Sequence, residues 1–290
     1  PNAAWFAPKP RIAPQGGLFV YAPTDWMSTT GTLYGPQECP PARSMTLVPT
    51  DAYATGKPET HIGAALVSDT RLDKLREMFQ PEKTTRAKVE YLDVVGVEKG
   101  AGSGEAFLKE LRTVDALLHV VRAFEDPALL HSQGEIDPKR DIETMEMELI
   151  LADMGVVSRR IEKLQEAIAK AGRDSDKQEQ EVLKKCLGFL EREMPLREVQ
   201  LSIGERQRLR GYTFLSAKPL LVALNLAESD TGKIPTIVAD LHLEALAKRP
   251  HIAILPVSAK IEMEIAHLDE NHKAEFMKDL GLKESCLARL

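Results

Sequence analysis

Along this chain, the pattern of apolar and polar positions changes character near residue 53. Beyond it, short apolar runs alternate with helical periodicities. Ile62 to Val67 reads as a strand, and Asp69 to Phe79 as a short helix with Leu72, Leu75 and Met78 on one face. Val89 to Val95 is rich in β-branched residues and breaks into glycine at Gly96, Gly100, Gly102 and Gly104. Ala106 to Thr113 has helical spacing. Ala116 to Val121, Pro219 to Leu224 and Ile252 to Val257 are continuous apolar runs, as expected of strands buried on both faces. Ser202 and Glu205 form a capping box ahead of a helix over Ile203 to Tyr212. Further helices are expected over about Ile237 to Ala247 and from Glu275. This alternation predicts an α/β fold, a doubly wound and mostly parallel sheet.

A different pattern interrupts it. Asp137-Pro138 is a helix start, a capping carboxylate followed by a proline suited to the first turn. Met147, Ile150, Met154, Val157, Ile161, Leu164 and Ile168 then repeat at alternating spacings of 3 and 4. After a polar turn at Gly172 to Asp176, Leu183, Leu187, Leu190 and Met194 continue the seam on a second helix. Two such seams can close on each other as an antiparallel hairpin, expected between about 141 and 194. Structural pairing is the plain role for such a hairpin.

Residues 1–52 read differently. They hold half of the chain's 18 prolines and both tryptophans, Trp5 and Trp26, with few charges, so loop is expected there apart from a possible short strand over Leu18 to Tyr21. The expected organisation is therefore a leader over 1–52, a nucleotide-type domain made of 53–140 and 195–290, and the hairpin over 141–194 between its halves.

Composition narrows the function classes. The chain is 43% hydrophobic and 28% charged with a net charge of −6, so it can bury a core and has no bulk attraction for a polyanion. Sequence-specific DNA binding is not expected. No apolar run approaches the roughly 18 residues of a membrane span, and no signal-peptide pattern opens the chain. Cys39, Cys186 and Cys286 lie far apart without metal-ligand spacing, which suits free thiols in a reducing cytoplasm.

In doubly wound sheets, ligands sit beyond the carboxyl ends of the strands. Three candidate motifs fall there: Asp93 to Gly96, Asn225 to Glu228, and Ser258 to Lys260. The first has D-x-x-G spacing. In phosphate-binding α/β proteins that spacing lets the carboxylate hold Mg²⁺ through water while the glycine N–H reaches a terminal phosphate.

Order and spacing resemble a P-loop GTPase-type domain, and more narrowly the YchF (Obg-like ATPase) family. The resemblance rests on DTRLDKL at 69–75, the stretch 83–126 around KVEYLDVVGVEKGAGSGEAFLKEL, DPKRDIETMEMELILAD at 137–153, LRGYTFLSAKPLLVALNLAE at 209–228 and PVSAKIEMEIAHLDE at 256–270. It covers about residues 53 to 290. It implies a cytoplasmic protein that binds and hydrolyses ATP in preference to GTP, uses Mg²⁺, and associates with ribosomes. By that resemblance Asp93 is the metal-side residue and Gly96 the phosphate-side one. Asn225, Leu226 and Glu228 stand in place of N-K-x-D, and Ser258, Ala259 and Lys260 form the S-A-K base loop.

The base chemistry can be argued from the residues. An aspartate at the fourth motif position pairs with two guanine donors, whereas adenine presents an acceptor at N1 and would be repelled. Glu228 is one methylene longer and can swing away. Leu226 offers an apolar wall in place of lysine, and Asn225 keeps an amide for the purine edge. Changing the string to Asn-Lys-Ala-Asp is expected to swing preference toward GTP. Val97 stands where many relatives carry a water-orienting glutamine and cannot polarise water, so the catalytic group is not assigned.

Two departures from the family pattern stand out. No G-x-x-x-x-G-K-[ST] loop occurs anywhere in the sequence, and the expected explanation is a mis-spliced or frame-shifted start in 1–52. The family's C-terminal TGS domain is not in these residues. Thr55 and Thr60 are both candidates for the switch threonine. The rival expectation is a non-catalytic interaction module that docks a partner through the hairpin and through basic clusters at Arg159 and Arg160 and at Arg206, Arg208 and Arg210.

Overall fold

The computed structural model describes residues 17–21, 32–33, 47–48, 61–67, 69–93, 104–125 and 135–279. In chain order its strands are β1 (Gly17–Tyr21), β2 (Thr32–Leu33), β3 (Leu47–Val48), β4 (His61–Leu66), β5 (Lys88–Asp93), β6 (Ala116–Arg122), β7 (Leu220–Asn225) and β8 (Ile252–Val257). Its α-helices are α1 (Thr70–Phe79), α2 (Gly104–Thr113), α3 (Pro138–Ala171), α4 (Asp174–Leu190), α5 (Ile203–Leu209), α6 (Ile237–Asp240), α7 (Glu244–Ala247), α8 (Ala259–His267) and α9 (Glu270–Asp279).

Six strands form one sheet in the order β4-β5-β1-β6-β7-β8, with only β4 antiparallel to its neighbour. A right-handed crossover between parallel strands needs a helix, and α2 and α5 supply the chain's returns to β6 and β7. The possible short strand over Leu18 to Tyr21 is β1, and it joins the sheet, pairing in parallel with β5 on one side and β6 on the other. The physical reason is pairing: without that strand β5 and β6 would each present an unpaired edge in the middle of the sheet.

Alternation along the strands builds two cores. Leu117 and Val121 of β6 face one side, with Leu220, Val222 and Leu224 of β7, Leu111 of α2, and Ile142 and Leu149 of α3. Leu118 and Val120 face the other, with Tyr91, Ala223 and Ala259. The same rule puts Asn225 on the face of Ala223.

The long helix α3 begins as its sequence predicts. The Asp137 side chain accepts from Arg140 N at 3.0 Å, and Pro138 opens the first turn. Its first half packs on the sheet. From Ile150 onward it buries Ile150, Val157, Ile161 and Leu164 against Leu183, Cys186 and Leu190 of α4. The two helices turn over at Gly172, whose φ of 60° suits a residue without Cβ and lets its N–H reach Ile168 O at 2.9 Å. Met194 departs from the expected seam. It is 37% exposed and lies past the end of α4, beyond a turn in which Glu193 takes a left-handed φ of 58°. Cys186 fills that core instead, and burial pushes its thiol up to about 11.

A second departure concerns the single helix expected over Ile237 to Ala247. The chain breaks between α6 and α7 at His242, with φ 54°, and this turns Leu243 into the core at 2% exposure. None of the described helices is long and apolar enough to cross a membrane.

Candidate functional site

Because β1, β5, β6, β7 and β8 run in parallel, their carboxyl ends share one edge. Register ties the candidate residues together there. Asp93 pairs with Val20, Arg122 with Asn225, and Asn225 with Val257. Gly96 and Val97 lie outside the described residues, as do Thr55 and Thr60. Asp93 is described only as the last residue of β5.

Asn225 is 2% exposed, and its Oδ1 accepts the N–H of Ala259 at 3.0 Å. Alongside, Leu226 N donates to Val257 O at 2.8 Å, which extends the β7–β8 ladder one residue past the strands. Two segments 34 residues apart in sequence are thereby fixed at one point. Ser258 is 3% exposed, and its Oγ has no hydrogen-bond partner among the described residues. A buried hydroxyl left open is costly unless something meets it, so it is the atom here most in need of a ligand or water.

Lys260 reaches back across the same edge to Glu228, Nζ to Oε1, at 2.5 Å. The pair is half-exposed, and the carboxylate raises the lysine's pKa, chiefly through the side-chain hydrogen bond. Glu228 is thus turned onto Lys260. Leu226 is 3% exposed and packs in the core with Leu224, Leu243 and Ile252. Any support it lends a ligand comes from behind the surface, and a lysine at this position would enter apolar packing.

Two buried charged groups were not singled out from the sequence. Arg122, at the carboxyl end of β6, is 3% exposed. Its Nε donates to Phe124 O at 3.0 Å, and its guanidinium lies 4.9 Å from the Phe124 ring centroid. Asp153 lies on the apolar side of α3 between Ile150 and Val157, at seam spacing. That position, a carboxylate in a hydrophobic row, was the available signal. Its Oδ1 and Oδ2 accept from Leu215 N at 3.0 Å and Ser216 N at 2.7 Å, and Arg112 lies 3.2 Å away. Burial raises its pKa against the pull of those donors.

Among the described residues no cluster of three or more His, Cys, Asp or Glu side chains gathers to hold a metal. A Mg²⁺ site built with nucleotide needs fewer, since phosphates and water supply most of its oxygens. Asp93, a hard oxygen donor at the edge shared with Asn225 and Ser258, fits that donor set.

Comparison with known proteins gives a consistent result. No family model matches the chain. It is 36% identical over 242 residues to a protein of Pasteurella multocida named "Ribosome-binding ATPase YchF", covering 82% of this chain and 65% of that one. A relative of the same name in Bacillus subtilis is 36% identical over 239 residues, covering 80% of this chain and 64% of that one. The chain thus spans somewhat less than two thirds of these curated relatives. Among solved structures, a YchF GTPase of Schizosaccharomyces pombe aligns with TM-score 0.71 and 26% identity, over 95% of this chain and 73% of that one.

Proposed function

Because the chain belongs to the YchF family, we propose that it serves as the nucleotide-binding part of a ribosome-associated ATPase, taking ATP in preference to GTP with Mg²⁺ at the carboxyl edge of its sheet. The observation that carries this reading is the bond from Ala259 N–H to Asn225 Oδ1. It leaves the Asn225 amide nitrogen for a purine edge, with the buried Ser258 hydroxyl on the residue just before Ala259. The Glu228–Lys260 pair supports the base preference. A carboxylate held by an ammonium repels the adenine N1 lone pair less than a free one, and an oxygen engaged by Lys260 is less available to the two donors of guanine.

Residues 53–140 and 195–290, together with strand 17–21, make up the nucleotide-binding unit in this reading. The hairpin over 141–194 is a coiled-coil insertion, and the protein works in the cytoplasm. Asp93 would hold Mg²⁺ on the phosphate side. The metal supplies charge neutralisation to the β- and γ-phosphates when bound.

Titration with ADP and GDP tests the base assignment. ADP is expected to bind more tightly, and Asn225→Ala is expected to weaken both by about tenfold, the value of one hydrogen bond of about 1.4 kcal/mol. Glu228→Asp, which leaves the buried Leu226 in place, should narrow the gap between them. Tighter binding of GDP than ADP by the unaltered chain would sink the assignment.

A further inference from the structure

The opposite edge of the sheet carries a second site. At the amino ends of β6 and β7, the end of α2, the segment before α5 and α5 itself enclose a cavity of about 360 Å³. That is the lower end of the range for small-molecule sites. Leu196, Leu201, Leu209 and Phe214 give it an apolar floor. Its rim is cationic: Arg112, Arg206, Arg210 and Lys218 against the single carboxylate Asp115.

These four cations are not equivalent. Arg112 is engaged, with Asp153 and Thr213 O each at 3.2 Å. Lys218 is 8% exposed, and its Nζ donates to three carbonyls, Leu111 O at 2.8 Å, Arg112 O at 3.0 Å and Val114 O. Those oxygens satisfy its donors without cancelling its charge, and burial pulls it down to about 8. Arg206 and Arg210 are exposed, and their side chains make no hydrogen bond or ion pair among the described residues. They stand four positions apart where α5 runs into the 3₁₀ turn Arg210–Tyr212, so they share a face. Like charges at that spacing disfavour the helix, and a shared anion converts the repulsion into two charge-assisted hydrogen bonds.

We propose that this cavity binds a small phosphomonoester with an apolar or aromatic body. The phosphate sits between Arg206 and Arg210, and the body lies on Leu201, Leu209 and Phe214. Two guanidinium forks with a buried ammonium behind them suit a dianionic phosphate better than a single carboxylate. The site is independent of the nucleotide edge, since it shares no residue with it.

Phenyl phosphate, inorganic phosphate and benzoate are the probes, titrated by calorimetry with ADP in excess so that the nucleotide edge does not compete. Phenyl phosphate is expected to bind at least tenfold more tightly than either of the others. Arg206→Ala with Arg210→Ala should weaken it tenfold or more without lowering the melting temperature, because both side chains are exposed. Leu201→Gln should weaken phenyl phosphate while sparing inorganic phosphate. Lys163→Ala with Lys170→Ala, on the helical hairpin, is the control for loss of charge alone and should change nothing. Phenyl phosphate binding that survives the arginine substitutions, falls equally in the control, or is matched by benzoate would overturn the proposal.

Discussion

Asp153 and Ser216 lie 63 residues apart and meet through a 2.7 Å bond from the Ser216 N–H to the carboxylate. The long helix α3 is thereby joined to the loop that feeds β7. The neighbouring Leu215 N–H and Arg112 converge on the same carboxylate, which is fully buried. Removing it strands two backbone donors and a guanidinium. Asp153→Ala is therefore expected to cost about 3 to 5 kcal/mol, the range for breaking one side of a buried charged network. Urea unfolding measures it, and a loss under 1 kcal/mol would show that the loop finds other partners.

Glu146 makes a similar junction at the base of α3. It takes Arg197, which is buried, and Arg249 at 2.6 Å, while Arg249 also pairs with Glu198. Two arginines share one buried acid, so they do not contribute equally. Glu146→Gln is expected to destabilise by about 3 kcal/mol or more, because Arg197 is left charged and unpaired inside. Arg249→Ala should cost about 1 kcal/mol, since its side chain is 30% exposed and water replaces part of what is lost. Equal losses for the two variants, read from the same urea curves, would contradict this ranking.

His119 sits in the middle of β6, 4% exposed, and burial pushes its pKa down to about 4 from an ordinary 6.5. The fold holds it neutral, whereas the unfolded chain protonates it below pH 6.5. Its contribution is therefore intact above that pH and is lost as pH falls from 6.5 to 4. The shift corresponds to about 3 kcal/mol over the window. His119→Gln should flatten the pH dependence of stability between 6.5 and 4 by that amount. An unchanged slope would assign the acid sensitivity elsewhere.

Hydrolysis is expected to be slow in these 290 residues, because no G-x-x-x-x-G-K-[ST] loop occurs in them to cradle the phosphates. Loss of one such electrostatic element commonly lowers turnover by about 10² to 10³. Phosphate release from ATP, compared with a YchF protein carrying that loop, is the measurement. A rate equal to that protein's, abolished by Asp93→Ala, would mean that another segment cradles the phosphates.

Much of the fold was legible because its signals are local. Apolar runs with β-branched residues mark β5, β6, β7 and β8. The 3-and-4 spacing marks α3 and α4, and Asp137-Pro138 and Ser202 with Glu205 mark helix starts through their own backbone bonds. The Asn225 and Ser258 strings were legible by resemblance and by their place at strand ends. What the sequence could not determine depends on partners far along the chain. A five-residue strand in a proline-rich leader takes a place between β5 and β6 only because both offer it a parallel ladder. The Asp153 and Glu146 carboxylates break a hydrophobic pattern, and only the tertiary structure supplies the N–H groups and guanidinium groups that justify them. The turn at His242 answers to the core that Leu243 fills, and the turning of Glu228 onto Lys260 needs β7 and β8 side by side. In each case the deciding energy is desolvation or pairing across tens of residues, which no local pattern of side chains encodes.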